Sequence, residues 1–299
     1  MKKYRNGILS LVLVLLVLGV CVPLLHAGSG DDKSFLWEVR SEESTLYLLG
    51  SIHFMKKDAY PLGETIRNAF EKADILVVEA NIDDVSKADM QKLLETAFYP
   101  GNDSLQNHVS GETYELVKKK FEQFNIPPLI LDRQKPWILA LTLESLELAG
   151  LGYTPEYGID MHFLTLASGK KKIRELESID SQIALLSGFP DRDQEALLLY
   201  TMKNLESFGK EVDGLVAAWR SGDAERMESL IIKSIPDDQR LAAIYEKIIF
   251  ERNTSMTARI EDFLRTKESY FVIVGAGHLV GSRGIIERLK QKGYRVTQR

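Results

Sequence analysis

Apolar and polar positions divide the chain into strands near its two ends and helices between them. "SFLWEVR" and "STLYLLG" are short apolar runs separated by the polar "SEES", and they predict the two strands of a hairpin. "LGETIRNAFEKA" puts Ile66, Phe70 and Ala73 at helical spacing, and "DILVVEAN" after it is a continuous apolar strand of the kind covered on both faces. Strand, helix and strand in that order predict a parallel βαβ unit. Residues 85–150 keep helical spacing, interrupted at "NIPPLI", where two prolines close one helix before the next begins near Lys135. "YGIDMHFLTLASGKKKIRELE" then predicts a helix, a glycine turn and a short strand. A second helical stretch covers residues 179–264, punctuated by "GFPDRD", "RSGDAE" and "SIPDDQ". Strand "SYFVIVGAG", helix "GIIERLKQKG" and strand "YRVTQ" close the chain. The pattern is that of an α/β fold: a mixed sheet with strands from both ends of the chain and a large helical insertion at about 85–150 and 179–264. No Pro/Gly/Ser-rich linker divides residues 29–299, which therefore read as one domain.

The first residues depart from this pattern. Lys2, Lys3 and Arg5 precede an apolar run over residues 8–25, followed by the small and polar "HAGSGDDK". Residues 1–28 thus have the layout of a signal peptide or an uncleaved N-terminal anchor, and they predict an exported protein: periplasmic, extracellular, or membrane-anchored facing outside. Contact with a membrane is expected only through this segment if it stays uncleaved. Val20 directly before Cys21 spoils the small-residue pattern of a lipoprotein site.

Composition narrows the chemistry. A net charge of -5 over 299 residues, with no long basic block, argues against nucleic acid as a partner. Cys21 is the single cysteine, so a cleaved chain has none, and any metal must be held by nitrogen and oxygen ligands. There is no G-x-S-x-G elbow, P-loop or H-E-x-x-H, and "GAGHLVG" misses the dinucleotide fingerprint because Val280 stands where the third glycine belongs.

What remains is a matched pair. His53 follows Gly50 at the carboxyl end of its strand, and His278 follows Gly275 in the same way. Ligands of open α/β sheets bind beyond the carboxyl ends of the strands, so both histidines are expected at one crevice. The two glycines are expected where the chain needs positive φ or a close backbone approach. Glu79 ends the apolar strand Ile75-Leu76-Val77-Val78 at the same edge, where a buried carboxylate requires a metal, a cation or strong donors. Arg252 lies four residues before Met256 on the apolar stripe of its helix, so its guanidinium is expected to point inward at an anionic partner, Glu79 or a substrate carboxylate. Asp160 and His162 in "YGIDMHF" and Glu177 in "LESIDSQ" are further possible members; Gln182 reads as helix capping and His108 as a loop residue.

Taken in order, "LLGSIHF", "ILVVEAN", "YGIDMHF", "LESIDSQ", "ERNTSM" and "VIVGAGHLVG" resemble the TraB/GumN family, which is similar to the Tiki metalloproteases. The resemblance spans about residues 46–294. It implies an α/β fold of paired strand-and-helix halves and a site in which the two Gly-x-x-His histidines, the acid and the arginine map onto His53, His278, Glu79 and Arg252. For Tiki-like members it implies peptide cleavage that depends on a divalent metal. The expectation is an exported metal-dependent hydrolase acting on peptides or protein termini. His53 and His278 would bind manganese, cobalt or zinc, and Glu79 would be either a third ligand or the general base. Arg252 would orient the acid or stabilise developing negative charge. The rival is a non-enzymatic protein that uses the same crevice to hold a peptide or haem.

Overall fold

A computed structural model describes residues 33–233 and 235–299. The proposed export segment and Cys21 lie outside the described residues. Among those described, no helix is long and apolar enough to cross a membrane.

Six strands form one sheet: β1 (Leu36–Arg40), β2 (Thr45–Ser51), β3 (Ile75–Val78), β4 (Lys172–Glu175), β5 (Tyr270–Gly275) and β6 (Arg295–Gln298), in the order β4-β3-β5-β2-β1-β6. β1 pairs antiparallel with both β2 and β6, whereas β2, β5, β3 and β4 run parallel. Strands from both ends of the chain therefore meet in a mixed sheet, as the apolar pattern predicts. The hairpin is present, and β2 and β3 are parallel through α1 (Glu64–Lys72), but they are not neighbours. β5 lies between them, pairing Leu49 with Ile273 on one side and Val77 with Val272 on the other. The most apolar strands take the centre: all four β3 residues are buried, as are the first five of β5, while the edge strands β4 and β6 carry exposed positions.

The middle of the chain supplies α2 (Lys87–Ala97), α3 (Gly111–Gln123), α4 (Pro128–Asp132), α5 (Pro136–Gly150), α6 (Ile159–Ala167), α7 (Ile179–Ser187), α8 (Asp191–Asn204), α9 (Phe208–Arg220), α10 (Ala224–Ile231) and α11 (Gln239–Tyr245). A π-helical stretch, Glu246–Glu251, joins α11 to α12 (Arg252–Leu264). Two further helices, α13 (Ala276–Leu279) and α14 (Ile285–Gln291), follow β5. Successive residues of β5 show how the sheet is covered. Phe271 packs on Phe70 of α1 and Phe163 of α6, with ring centroids 5.5 and 4.9 Å apart, while Tyr270 stacks on Phe263 of α12 at 4.8 Å. Adjacent strand residues point to opposite faces, so α1 and α6 cover one side and α12 the other.

Candidate functional site

β2, β5 and β3 are neighbours, and their carboxyl ends deliver His53, His278 and Glu79 to one place. Gly275 marks the middle. A Cβ built there would lie 3.3 Å from Glu79 Oε1, 3.4 Å from His278 Cδ2 and 3.8 Å from His53 Nε2. Any side chain at this position would occupy the space on which the three groups converge. Neither expected turn glycine has positive φ. Gly275 keeps the site open, and Gly50 is required by close approach, since a Cβ there would be 2.4 Å from the Phe35 ring and 3.2 Å from Ala276 Cα. The Gly50 carbonyl is also held from the insertion, accepting a 2.6 Å bond from the Trp219 indole N–H on α9.

Hydrogen bonds fix the tautomer of each imidazole. His53 Nδ1–H donates to Asp160 Oδ2 at 2.7 Å, which leaves the Nε2 lone pair free. Asn253 donates through Nδ2 to the Arg283 carbonyl at 3.0 Å, so its Oδ1 faces His278 and accepts from Nδ1–H at 2.7 Å. His278 Nε2 therefore carries a lone pair as well, and it accepts from Arg252 Nη1 at 3.3 Å. The surroundings then drive the two rings apart in basicity. Burial lowers the His53 pKa, but the carboxylates of Asp160 and Glu79 more than offset this and leave it raised. His278 is 2% exposed; burial dominates, Arg252 and His53 add to it, and its pKa falls to about 3 despite Glu79.

Glu79 is the buried anion of the site, 3% exposed. Its Oε1 accepts from the Gly275 backbone N–H at 2.5 Å and its Oε2 from Arg252 Nη2 at 2.6 Å. Burial favours the protonated form, but Arg252 and the two imidazoles hold the pKa down to about 2. Arg252 also binds Glu177, through Nε at 3.0 Å and Nη2 at 2.8 Å, and donates from Nη1 to the Ile248 carbonyl at 3.0 Å. Its guanidinium thus holds both acids and both ends of its own hydrogen-bonding fork are used.

The structure brings together His53, His278, Glu79 and Arg252, and adds two of the three further residues. Asp160 holds His53 and Glu177 holds Arg252. His162, in contrast, turns away from the crevice and packs against Tyr60 at 4.5 Å, with burial lowering its pKa. Gln182 Nε2 reaches Glu177 at 3.3 Å, and His108 lies between Asp103 and Asp191 away from this site. Asn253 was not singled out by the sequence. The available signal is the stripe Asn253, Met256, Thr257, Ile260 and Leu264, whose members are all buried and place a lone amide at the head of an apolar helix face.

As they stand, no three His, Cys, Asp or Glu side chains among the described residues are grouped to hold a metal ion. The guanidinium of Arg252 stands between Glu79 and His278, bonded to both. The donor types suit a divalent cation, two imidazoles and a carboxylate, with Glu79 Oε1, His278 Cδ2 and His53 Nε2 all within 3.8 Å of a Cβ built at Gly275. Opposite Gly275 in the ladder, Ser51 buries a hydroxyl that has no hydrogen-bond partner.

A family model described as "TraB/PrgY/gumN family" matches residues 35–298. The uncharacterized protein YbaP of Escherichia coli (strain K12) is 26% identical over 245 residues, which is 82% of this chain and 87% of that protein. Metalloprotease TIKI2 of Danio rerio is 23% identical over 318 residues, 89% of this chain and 61% of the relative. Metalloprotease TIKI1 of Xenopus tropicalis is 22% identical over 321 residues, 91% of this chain and 63% of the relative. The chain thus spans less than two thirds of the length of these two metalloproteases. No solved structure matches it significantly. The match over nearly all of the described residues settles the family, and the chain belongs to the TraB/PrgY/gumN family.

Proposed function

We propose that the protein is an exported, divalent-metal-dependent hydrolase that cleaves peptides or protein termini. The observation that carries this reading is the meeting of His53 Nε2, the His278 ring and Glu79 Oε1 around Gly275, with each ring held by a hydrogen bond at Nδ1. The metalloprotease names of the two Tiki relatives support it. His53 Nε2, His278 Nε2 and Glu79 would hold manganese, cobalt or zinc, with Arg252 Nη1 withdrawing from His278. The bound ion would polarise the scissile carbonyl and acidify a water.

The chain's own groups divide the remaining work. Glu79 turns Oε1 to the Gly275 backbone, the point nearest both imidazoles, where a third ligand would stand. Glu79 is therefore assigned to binding rather than to proton transfer. Asp160 and Asn253 keep Nδ1 protonated and the rings oriented. Arg252, tied to Glu177 and Glu79, would balance negative charge as it develops on the substrate. Export is supported by the basic and apolar residues 1–28, and the negative net charge gives no reason to expect nucleic acid as a partner.

The test is the divalent-metal content of the purified protein beside His53→Ala and His278→Ala, with peptide cleavage measured on the same samples. Near-stoichiometric metal and cleavage, both lost in each variant, are expected. Metal retained in the variants, or none after reconstitution, would overturn the reading and favour a protein that only binds its ligand in this crevice.

A further inference from the structure

β4 is the edge strand nearest the site, paired with β3 on one side alone. Leu176 donates its backbone N–H to the Val78 carbonyl, and in a parallel pair only alternate residues bond the same neighbour. The peptide groups of Ile173 and Glu175 consequently face outward. A hollow lies on each side of this edge. One, of about 940 Å³, is lined by β4, by Ser178 and Ser181 of the α7 start, and by Ser255, Arg259 and Phe263 of α12. The other, of about 350 Å³, is lined by Asn81, Asp84, Asp89 and β4 residues. The larger hollow reaches Glu177, the carboxylate that binds Arg252. It also follows one stripe of α12, since residues 252, 255 and 259 are spaced three and four apart.

The charges of the two hollows differ. Arg174 and Glu175 line both, but Arg174 lies over the Phe263 and Tyr270 rings of the larger one, where Glu177 and Asp262 are already bound to Arg252 and Arg265 and Arg259 is exposed. The smaller one presents Asp84 and Asp89, with Glu175 turned to the Asn81 N–H. An added strand sends alternate side chains into opposite hollows.

We propose that the open edge of β4 takes an extended peptide as an added strand, acidic side chains toward Arg174 and Arg259 and basic ones toward Asp84 and Asp89, and guides it to Arg252. This rests on the hydrolase reading and names its substrate class: unfolded segments of alternating charge, gripped first through their backbone. An edge strand left unpaired is otherwise a liability for self-association, which gives the open edge a physical reason.

The test uses the full-length protein with metal chelated and a fluorescein-labelled octapeptide of alternating glutamate and lysine, read by fluorescence anisotropy. Single N-methyl groups placed along the peptide are expected to weaken binding about tenfold at every second position and to leave the intervening positions unchanged. A peptide of the same composition with its glutamates and lysines in two blocks should bind less tightly. Ile173→Pro removes an outward N–H that β3 does not use, a change edge strands tolerate, and should weaken the unmodified peptide by a similar factor. Uniform sensitivity to N-methylation, or none, would overturn the proposal, as would an edge that pairs two copies of the protein in a concentration-dependent dimer that Ile173→Pro dissolves while peptide binding is absent. Cleavage without the alternation would sink the strand addition alone. Alternation without metal-dependent cleavage would sink the hydrolase reading and leave the strand addition standing.

Discussion

His53 and His278 occupy equivalent places in the sequence, each three residues after a glycine at a strand end, yet the protein makes them chemical opposites. His53 sits on the open side, 18% of its side chain exposed, against the carboxylate of Asp160, and its pKa is raised. His278 is buried against a neutral amide and a guanidinium, and its pKa falls to about 3. The motif therefore fixes where an imidazole stands, while its partner at Nδ1 and its burial set what the ring does. An anionic partner raises the pKa of its ring; a neutral partner in a dry setting lets burial lower it.

The largest test of this contrast is Arg252→Ala. It strands Glu79 and Glu177 on the buried side, and a loss of about 3–5 kcal/mol is expected in denaturant unfolding. Asp160→Ala, on the open side, should cost less, about 1–3 kcal/mol. A comparable loss in the two variants would erase the distinction between the halves.

Next in size is the pH dependence of stability, where the two rings have opposite signs. The folded pKa of His278, about 3, lies below its unfolded value near 6.5. The unfolded chain gains a proton there first, so this contribution is present above about pH 6.5 and is lost as pH falls toward 3, by on the order of a few kcal/mol. For His53 the folded value is raised, so its contribution is full below about 6.5 and is lost as pH rises through the folded value. Unfolding midpoints followed across pH should show His278→Gln flattening the acid limb and His53→Gln the alkaline one. The same limb flattened by both would break the comparison.

Smaller effects sharpen it. Asp160→Asn and Asn253→Leu each disturb the bond at Nδ1, and each should weaken metal affinity about 10- to 100-fold, measured by titration against a competing chelator. Gly275→Ala places a methyl within 3.3–3.8 Å of Glu79, His278 and His53. It is expected to lower affinity about tenfold or less with little change in the unfolding midpoint, because β5 pairing is retained. Unchanged affinity would mean that the space over Gly275 is not where the cation sits.

Much of this was legible because the signals were periodic or incongruous. The apolar runs of β2, β3 and β5 and the stripe of α1 follow from two simple repeats, and Glu79 announced itself as a carboxylate ending a buried run. The position of β5 between β2 and β3 was not legible, since both orders satisfy the same apolar strands. Nor was the role of Asn253: an amide at a helix start reads as solvent-facing or capping until the residue across from it is known. His162 shows the reverse, a histidine two residues from Asp160 that points the other way because a helix turns by about 100° per residue. The α13 turn that carries His278 is four residues long, too short for any period to show.

The π-helical stretch at Glu246–Glu251 stands immediately before Arg252 and Asn253. Such a stretch behaves as one extra residue within a helix. Forced into an ordinary helix at its full length, the segment would rotate everything downstream by about 100°, because the wider π-helical turn is what absorbs the extra residue. The guanidinium and the amide would swing off the crevice although every functional side chain remained in the chain. The π-helical turn thus acts as the phase setting of the site, and a single-codon deletion within it, which leaves an ordinary helix in the same phase, is expected to be better tolerated than the same deletion elsewhere in the helix.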